Sequence, residues 1–209
     1  NEKGVMLMHD AVFRQAMLKA LGMKLRWQIG LFRKFNKNII AFIDEPYLGC
    51  FGSAYTPLNR ADVVRDLGEF SQGLGDRDIL LGVHCCGNTD WSIFTDIPAI
   101  NVISFDAFDF QDKFVLYAGN LKGFLERGGV ICWGIVPTQE FRGKENTEFL
   151  INKLRQGINA LVKKGIGDKL LLGSLMLSPA CGLGTFGPQK AEDIFKLLSQ
   201  VSFFIRQEA

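Results

Sequence analysis

The fold is decided by residues 79–91, which read Ile-Leu-Leu-Gly-Val-His-Cys-Cys-Gly-Asn-Thr-Asp-Trp. The apolar start of this stretch predicts a buried strand that ends at His84 and Cys86. Side chains of an extended segment alternate with a period of two, so His84 and Cys86 would point to the same side. Imidazole nitrogen and thiolate sulfur are both zinc ligands. The stretch therefore indicates part of a zinc site, provided that other strand ends supply the remaining ligands.

Short apolar strands alternate with helical segments along the rest of the chain. This alternation predicts parallel strands covered by helices, which is an α/β domain. Asn59 is the expected N-cap of the first helix that follows a strand. Predicted strands cover 38–44, 79–84, 101–106, 130–136 and 169–177, and predicted helices cover 10–36, 59–72, 89–96, 112–127, 145–164 and 188–206.

Five βα units are fewer than the eight of a closed TIM (β/α)8 barrel, which takes about 250 residues. Either the sheet is open, or about three amino-terminal strands of such a barrel are absent from this sequence. The first residue is not Met, which fits the second interpretation. Reactive side chains also follow successive strands, at the face where parallel barrels build their sites. We predict that residues 1–209 are a single catalytic barrel domain containing about the last five βα units. The strand-end residues are Asp44, Glu45, His84, Cys86, Asp106, Trp133, Thr138 and Cys181.

Composition and charge restrict the possible partners. The chain has 209 residues, of which 47% are hydrophobic and 22% charged, and its net charge is +2. This small, dispersed charge argues against nucleic-acid and membrane partners, and no apolar run reaches the roughly 18 residues of a spanning helix. The first residues do not resemble a signal peptide. Five scattered cysteines predict reduced thiols and a cytoplasmic protein.

Cys181 follows the last predicted strand and would join His84 and Cys86 in a His, Cys, Cys set. Three protein ligands with an open position are typical of catalytic zinc, whereas a closed set of four is structural. Two thiolate ligands suit the activation of a substrate thiol, because the metal lowers the pKa of that thiol. The alternative is that these cysteines are small buried hydrophobic residues. Asp106 is either a fourth ligand, a hydrogen-bond partner that orients His84, or a helix N-cap.

Three further side chains are candidates for substrate binding. Asp44 and Glu45 end the first strand, and strand alternation lets only one of them face the barrel axis, where it could bind a substrate ammonium group. Capping of the following loop is the alternative. Trp133 would either line a pocket or belong to the core. Residues 182–187 match G-x-G-x-x-G, but no later strand carries the acidic residue of a dinucleotide site, so we predict no such site.

Four short motifs at the strand ends resemble, in order, those of a known enzyme family. They are Ile43-Asp-Glu-Pro46, His84-x-Cys86, Ile103-Ser-Phe-Asp106 and Pro179-Ala-Cys-Gly-Leu183. This order resembles the catalytic barrel of cobalamin-independent methionine synthase. Its superfamily includes uroporphyrinogen decarboxylase and the zinc-dependent methylcobamide:thiol methyltransferases. The string His84-Cys-Cys-Gly-Asn-Thr89 is also similar to a motif of the corrinoid-linked enzymes.

The resemblance implies a zinc-dependent methyltransferase of methionine biosynthesis that transfers a methyl group to a zinc-bound thiol such as homocysteine. It implies that zinc is held by His84, Cys86, Cys181 and an acidic residue. The family has a glutamate at the acidic position, where this chain has Asp106. It also implies that Asp44 contacts the homocysteine amino group.

The resemblance leaves the methyl donor open between methyltetrahydrofolate and methylcobalamin carried by a corrinoid protein. Residues 133–138 lack the histidine that methionine synthase has after its seventh strand. The family's amino-terminal folate-binding portion is also not in this sequence. One alternative is a uroporphyrinogen decarboxylase-like enzyme. The thiols and acids at the strand ends argue against it. Another is a truncated barrel that retains zinc only as a structural ion, or a binding module without turnover.

Overall fold

The computed structural model describes residues 10–52, 58–74, 79–139, 141 and 143–208. In this part of the chain five parallel strands form one sheet, and their order in the sheet is their order in the sequence. Helices lie between successive strands. The mixed α/β class and the all-parallel sheet are thus confirmed, and the arrangement is consistent with part of an α/β barrel. The strands are β1 (Ile39–Asp44), β2 (Ile79–Cys85), β3 (Ile100–Asp106), β4 (Val130–Val136) and β5 (Leu175–Pro179).

Side-chain caps set the start of several helices. Asn59 accepts a hydrogen bond from the backbone N–H of Asp62 at 2.8 Å, as its sequence position predicts. Asp10 and Asn146 cap two other helices in the same way. The helices are α1 (Ala11–Phe32), α2 (Arg60–Gly73), α3 (Ser92–Thr95), α4 (Ala107–Phe114), α5 (Ala118–Glu126), α6 (Thr147–Lys163), α7 (Asp168–Gly173) and α8 (Pro188–Glu208), with short 3-10 helices at Pro46–Cys50 and Val115–Tyr117.

Three predicted elements are wrong in their extent, and one of them, the helix predicted over 89–96, is only the single turn Ser92–Thr95. The strand predicted over 169–177 is helical in its first part, and only Leu175–Pro179 forms β5. A short apolar run such as Leu170–Leu172 fits helix and strand equally well, and leucine and lysine are good helix formers. The helix predicted to begin at residue 112 begins at Ala107, because Asp106 caps it directly at the end of β3.

The sheet has two different faces. Alternate residues such as Val83 and Phe105 are fully buried against the helices and form the main core. The opposite face, here called the inner face, carries His84, Ser104 and Cys132, which are aligned across β2, β3 and β4. Ser104 and Cys132 are buried, and His84 is half-buried. The inner face thus presents polar and reactive side chains near the carboxyl ends of the strands.

Among the residues that the structure describes, none of the helices combines the length and the apolar composition needed to cross a bilayer.

Candidate metal centre

His84, Cys86 and Cys181 come together at the carboxyl ends of the strands. Each offers a ligand atom, and these atoms all lie within 4.8 Å of one another. His84 is on β2 and Cys86 follows that strand, whereas Cys181 follows β5. The backbone N–H of Ala180 donates to the Val136 carbonyl at 2.8 Å and ties the Cys181 loop to the end of β4. The predicted His, Cys, Cys cluster is therefore assembled from distant parts of the chain, and it could hold a metal ion.

The surroundings of the His84 imidazole favour metal binding through Nε2. Its Nδ1 lies 2.9 Å from the hydroxyl oxygen of Ser104. Its Nε2 is buried and has no hydrogen-bond partner. A buried polar atom without a partner is unfavourable, and a metal ion would satisfy it. Burial lowers the pKa of His84, against an opposing effect of Asp44, and so favours the neutral imidazole that coordinates metals.

The two thiols of the cluster influence one another. Burial raises the pKa of Cys86, and the neighbouring Cys181 and Asp106 raise it further. Two thiolates this close repel each other, and a divalent cation between them would remove that repulsion. The soft sulfur atoms together with one imidazole form a donor set that suits zinc.

The other described cysteines lie elsewhere. Cys85 is fully buried on the helix-covered face, and burial raises its pKa to about 11. Its position next to Cys86 but on the opposite face follows from strand alternation. Cys50 is exposed, and Cys132 is buried on the inner face. Neither belongs to the three-residue cluster.

Asp106 caps a helix and does not join the three ligand atoms. Its carboxylate accepts a hydrogen bond from the backbone N–H of Asp109 at 3.0 Å, which confirms the N-cap interpretation. The side chain is 5% exposed, and burial raises its pKa. The family resemblance implies that Asp106 is a fourth ligand. Asp106 is, however, not among the residues whose ligand atoms lie within 4.8 Å of one another. Its charge nevertheless acts on Cys86, so it borders the site.

Asp44 and Glu45 differ in their surroundings. Asp44 is exposed, is aligned with His84 across β1 and β2, and therefore lies on the inner face. Glu45 donates its backbone N–H to the His84 carbonyl at 2.9 Å. Burial raises the pKa of Glu45, and the charge of Asp44 adds to this shift. Asp44 is consequently the carboxylate available to a positively charged group beside the cluster.

Trp133 lies in the core, away from the cluster. It is 0% exposed, and its Nε1 donates to the side-chain oxygen of Gln111 at 3.2 Å. Its ring meets that of Phe105 edge-on, with the centroids 5.1 Å apart. Because Trp133 lies on the helix-covered face of β4, it has no exposed surface with which to contact a substrate. Its predicted role in substrate binding is therefore not supported by its position.

Two features of the site have no counterpart in the predictions from the sequence. Ser104 contacts His84 from the adjacent strand, and its position two residues before Asp106 was the available signal. Gly87, next to Cys86, packs against Gly49 of the 3-10 helix at Pro46–Cys50. A Cβ atom placed on Gly87 would lie 2.9 Å from the Gly49 Cα.

Comparison of the chain with protein-family models and with the curated proteins found no match. The chemistry of the site therefore has to be argued from its own residues.

We expect the variant Gly87→Ala to weaken zinc binding by about tenfold, because the added methyl group pushes the turn that carries Cys86 away from Gly49. Zinc affinity can be measured by competition with a chromophoric chelator. Gly123→Ala is the matched control, since nothing lies within 4 Å of a Cβ at that position in α5. Equal affinities for the two variants would contradict this account of the turn.

Proposed function

We propose that this chain is a zinc-dependent methyltransferase that moves a methyl group to a small-molecule thiol such as homocysteine. The observation that carries the proposal is the convergence of His84, Cys86 and Cys181, whose ligand atoms lie within 4.8 Å of one another. With Asp106 engaged as an N-cap, the described part of the chain offers three protein ligands, the number typical of catalytic zinc. A structural site would be expected to have a fourth.

The donor set fits the activation of sulfur. Zinc held by these residues would lower the pKa of an incoming thiol and supply a thiolate at neutral pH. The thiolate sulfur then forms the new S–C bond, while the bond between the methyl group and its donor breaks and its electron pair leaves with the donor. Methyltetrahydrofolate and methylcobalamin on a corrinoid protein are the two proposed donors.

Asp44 is the proposed contact for the substrate's ammonium group. It is exposed on the inner face and aligned with His84 in the neighbouring strand. A carboxylate at this position attracts a cationic group and so orients an amino-acid thiol toward the cluster. Glu45 is partly buried, and the raised pKa of its carboxyl makes it the poorer candidate.

The proposal includes a complete barrel in the cytoplasm, with β1 to β5 as its last five strands. Three apolar side chains on the inner face near β1, those of Ile40, Phe42 and Leu80, are 40–43% exposed. Parallel sheets are normally covered on both faces, so further strands closing the barrel would account for them. A decarboxylase of the uroporphyrinogen type has less support, because the last residues of the five strands, Asp44, Cys85, Asp106, Val136 and Pro179, include no arginine.

The test is methyl transfer by zinc-loaded protein, with homocysteine as acceptor and methylcobalamin or methyltetrahydrofolate as donor. Mass spectrometry would measure methionine, and a chelator should abolish its formation. We expect Asp44→Asn to raise the KM for homocysteine by about tenfold through loss of one charged contact. The KM for mercaptoethanol, which has no amino group, should not change.

Asp112→Asn is the matched control, because Asp112 is an exposed carboxylate on α4. Zinc bound at about one ion per chain, without methylation from either donor, would favour a structural ion instead. An equal rise in KM for both thiols would argue against the ammonium contact.

A further inference from the structure

Ser104 holds the imidazole of His84 from the adjacent strand. The two residues are aligned across β2 and β3, and the Ser104 hydroxyl oxygen lies 2.9 Å from His84 Nδ1. Ser104 is 6% exposed, so water competes little for this contact. The ring is thereby held at Nδ1, while Nε2 remains buried and without a hydrogen-bond partner.

We infer that Ser104 is a positioning residue that fixes the proton of His84 on Nδ1 and leaves the Nε2 lone pair for a metal ion. This inference rests on the proposed function of the His84, Cys86 and Cys181 cluster. A ligating histidine is usually oriented through its other ring nitrogen, and the hydrogen bond made there selects the tautomer.

The direction of the hydrogen bond follows from two observations. First, Ser104 is aligned with Cys132 across β3 and β4, so both lie on the inner face. Burial raises the pKa of Cys132, and the Ser178 and Ser104 hydroxyls near its thiol oppose that rise. If Ser104 donates its proton to the sulfur, its oxygen accepts from Nδ1–H.

Second, the opposite tautomer would leave a buried Nε2–H without an acceptor. Buried donors without partners are rare and costly, whereas a lone pair on Nε2 is the group that a metal requires. The hydrogen bond between Ser104 and His84 Nδ1 therefore leaves the Nε2 lone pair free to bind a metal ion.

The tautomer can be observed directly in the metal-free protein. The chain contains two histidines, His9 and His84, so long-range nitrogen–proton NMR spectra of the imidazole rings are simple to assign. We expect the wild-type His84 to carry its proton on Nδ1. A wild-type spectrum with the proton on Nε2 would overturn the inference, and this measurement requires no variant.

The variant Ser104→Ala should shift His84 toward the Nε2–H tautomer and weaken zinc binding by about 10- to 100-fold. Ser104→Thr keeps the hydroxyl and should restore both properties. The absorption spectrum of the cobalt(II)-loaded protein should change in Ser104→Ala and return in Ser104→Thr. Ser71→Ala is the matched control, since the Ser71 hydroxyl donates only to the Gly68 carbonyl of its own helix α2, at 2.9 Å.

The outcomes separate this inference from the proposed function. If the tautomer responds to Ser104 but the protein binds no zinc, the proposed function fails and the positioning of His84 stands. If zinc binds tightly and Ser104→Ala leaves the tautomer, affinity and cobalt spectrum unchanged, the positioning role is overturned while the zinc site stands.

Discussion

Cys181→Ser is expected to abolish stoichiometric zinc binding, with an affinity more than about 100-fold weaker than that of the wild type. A serine hydroxyl is not deprotonated at neutral pH and replaces thiolate poorly, so of the three ligands among the described residues His84 and Cys86 would remain. Zinc retained after gel filtration gives the stoichiometry, and a chelator competition titration gives the affinity. Cys86→Ser should behave in the same way.

Cys50→Ser is the matched control, because it makes the same change at an exposed thiol outside the cluster. Cys181 lies in a loop after β5 and is half-buried, so the substitution should leave the sheet intact. Retention of about one zinc ion per chain at wild-type affinity in Cys181→Ser would refute the proposed metal centre.

The same variant should lose stabilisation by zinc. The cluster joins the end of β2 to the loop after β5, segments about 95 residues apart in the chain, so bound zinc would favour the folded state. At a free zinc concentration 1,000 times the Kd, the stabilisation is about 4.1 kcal/mol. Denaturant unfolding with and without zinc should show this increment for the wild type and for Cys50→Ser, and not for Cys181→Ser.

The sequence was sufficient to predict the site wherever local periodicity decided the structure. His84 and Cys86 fall on one side of a strand because side chains alternate, and the same rule sends Cys85 to the core. Cys181 could be added because the carboxyl ends of parallel strands meet at one face. Both steps need only the strand positions and the parallel arrangement.

The alignment between strands was not available from the sequence. Trp133 and Cys132 are adjacent, and only the register of β4 against β3 decides which of them shares a face with Ser104 and His84. The register places Cys132 there and Trp133 against the helices. Alternation places Ser104 on the same side of β3 as Asp106, but its contact with His84 depends on the register of β3 against β2.

Asp106 illustrates a different limit. A carboxylate at the end of a strand that precedes a helix can bind a metal or cap the helix, and residue type does not distinguish the two. The backbone N–H of Asp109 decides in favour of the cap, through a 3.0 Å hydrogen bond. The helix therefore begins directly after β3, several residues before the position that the apolar pattern predicted.

Trp133→Ala is expected to lower the free energy of unfolding by about 3–5 kcal/mol, the range for removal of a large buried aromatic side chain. The indole packs edge-on against Phe105 and donates to Gln111. The indole packs so closely against α6 that only glycine fits at position 157, since a Cβ on Gly157 would lie 2.5 Å from the Trp133 ring. Removing the ring opens a cavity between β4 and α6.

Urea unfolding measures this loss, and Trp27→Ala is its matched control because Trp27 on α1 is 68% exposed. That control should stay within about 0.5 kcal/mol of the wild type. Trp133→Phe should lose less than Trp133→Ala, because it keeps most of the ring volume but leaves the Gln111 acceptor unpaired. If Trp133→Ala were instead as stable as Trp27→Ala and showed a raised KM for the thiol, the ring would contact substrate and its place in the core would be refuted.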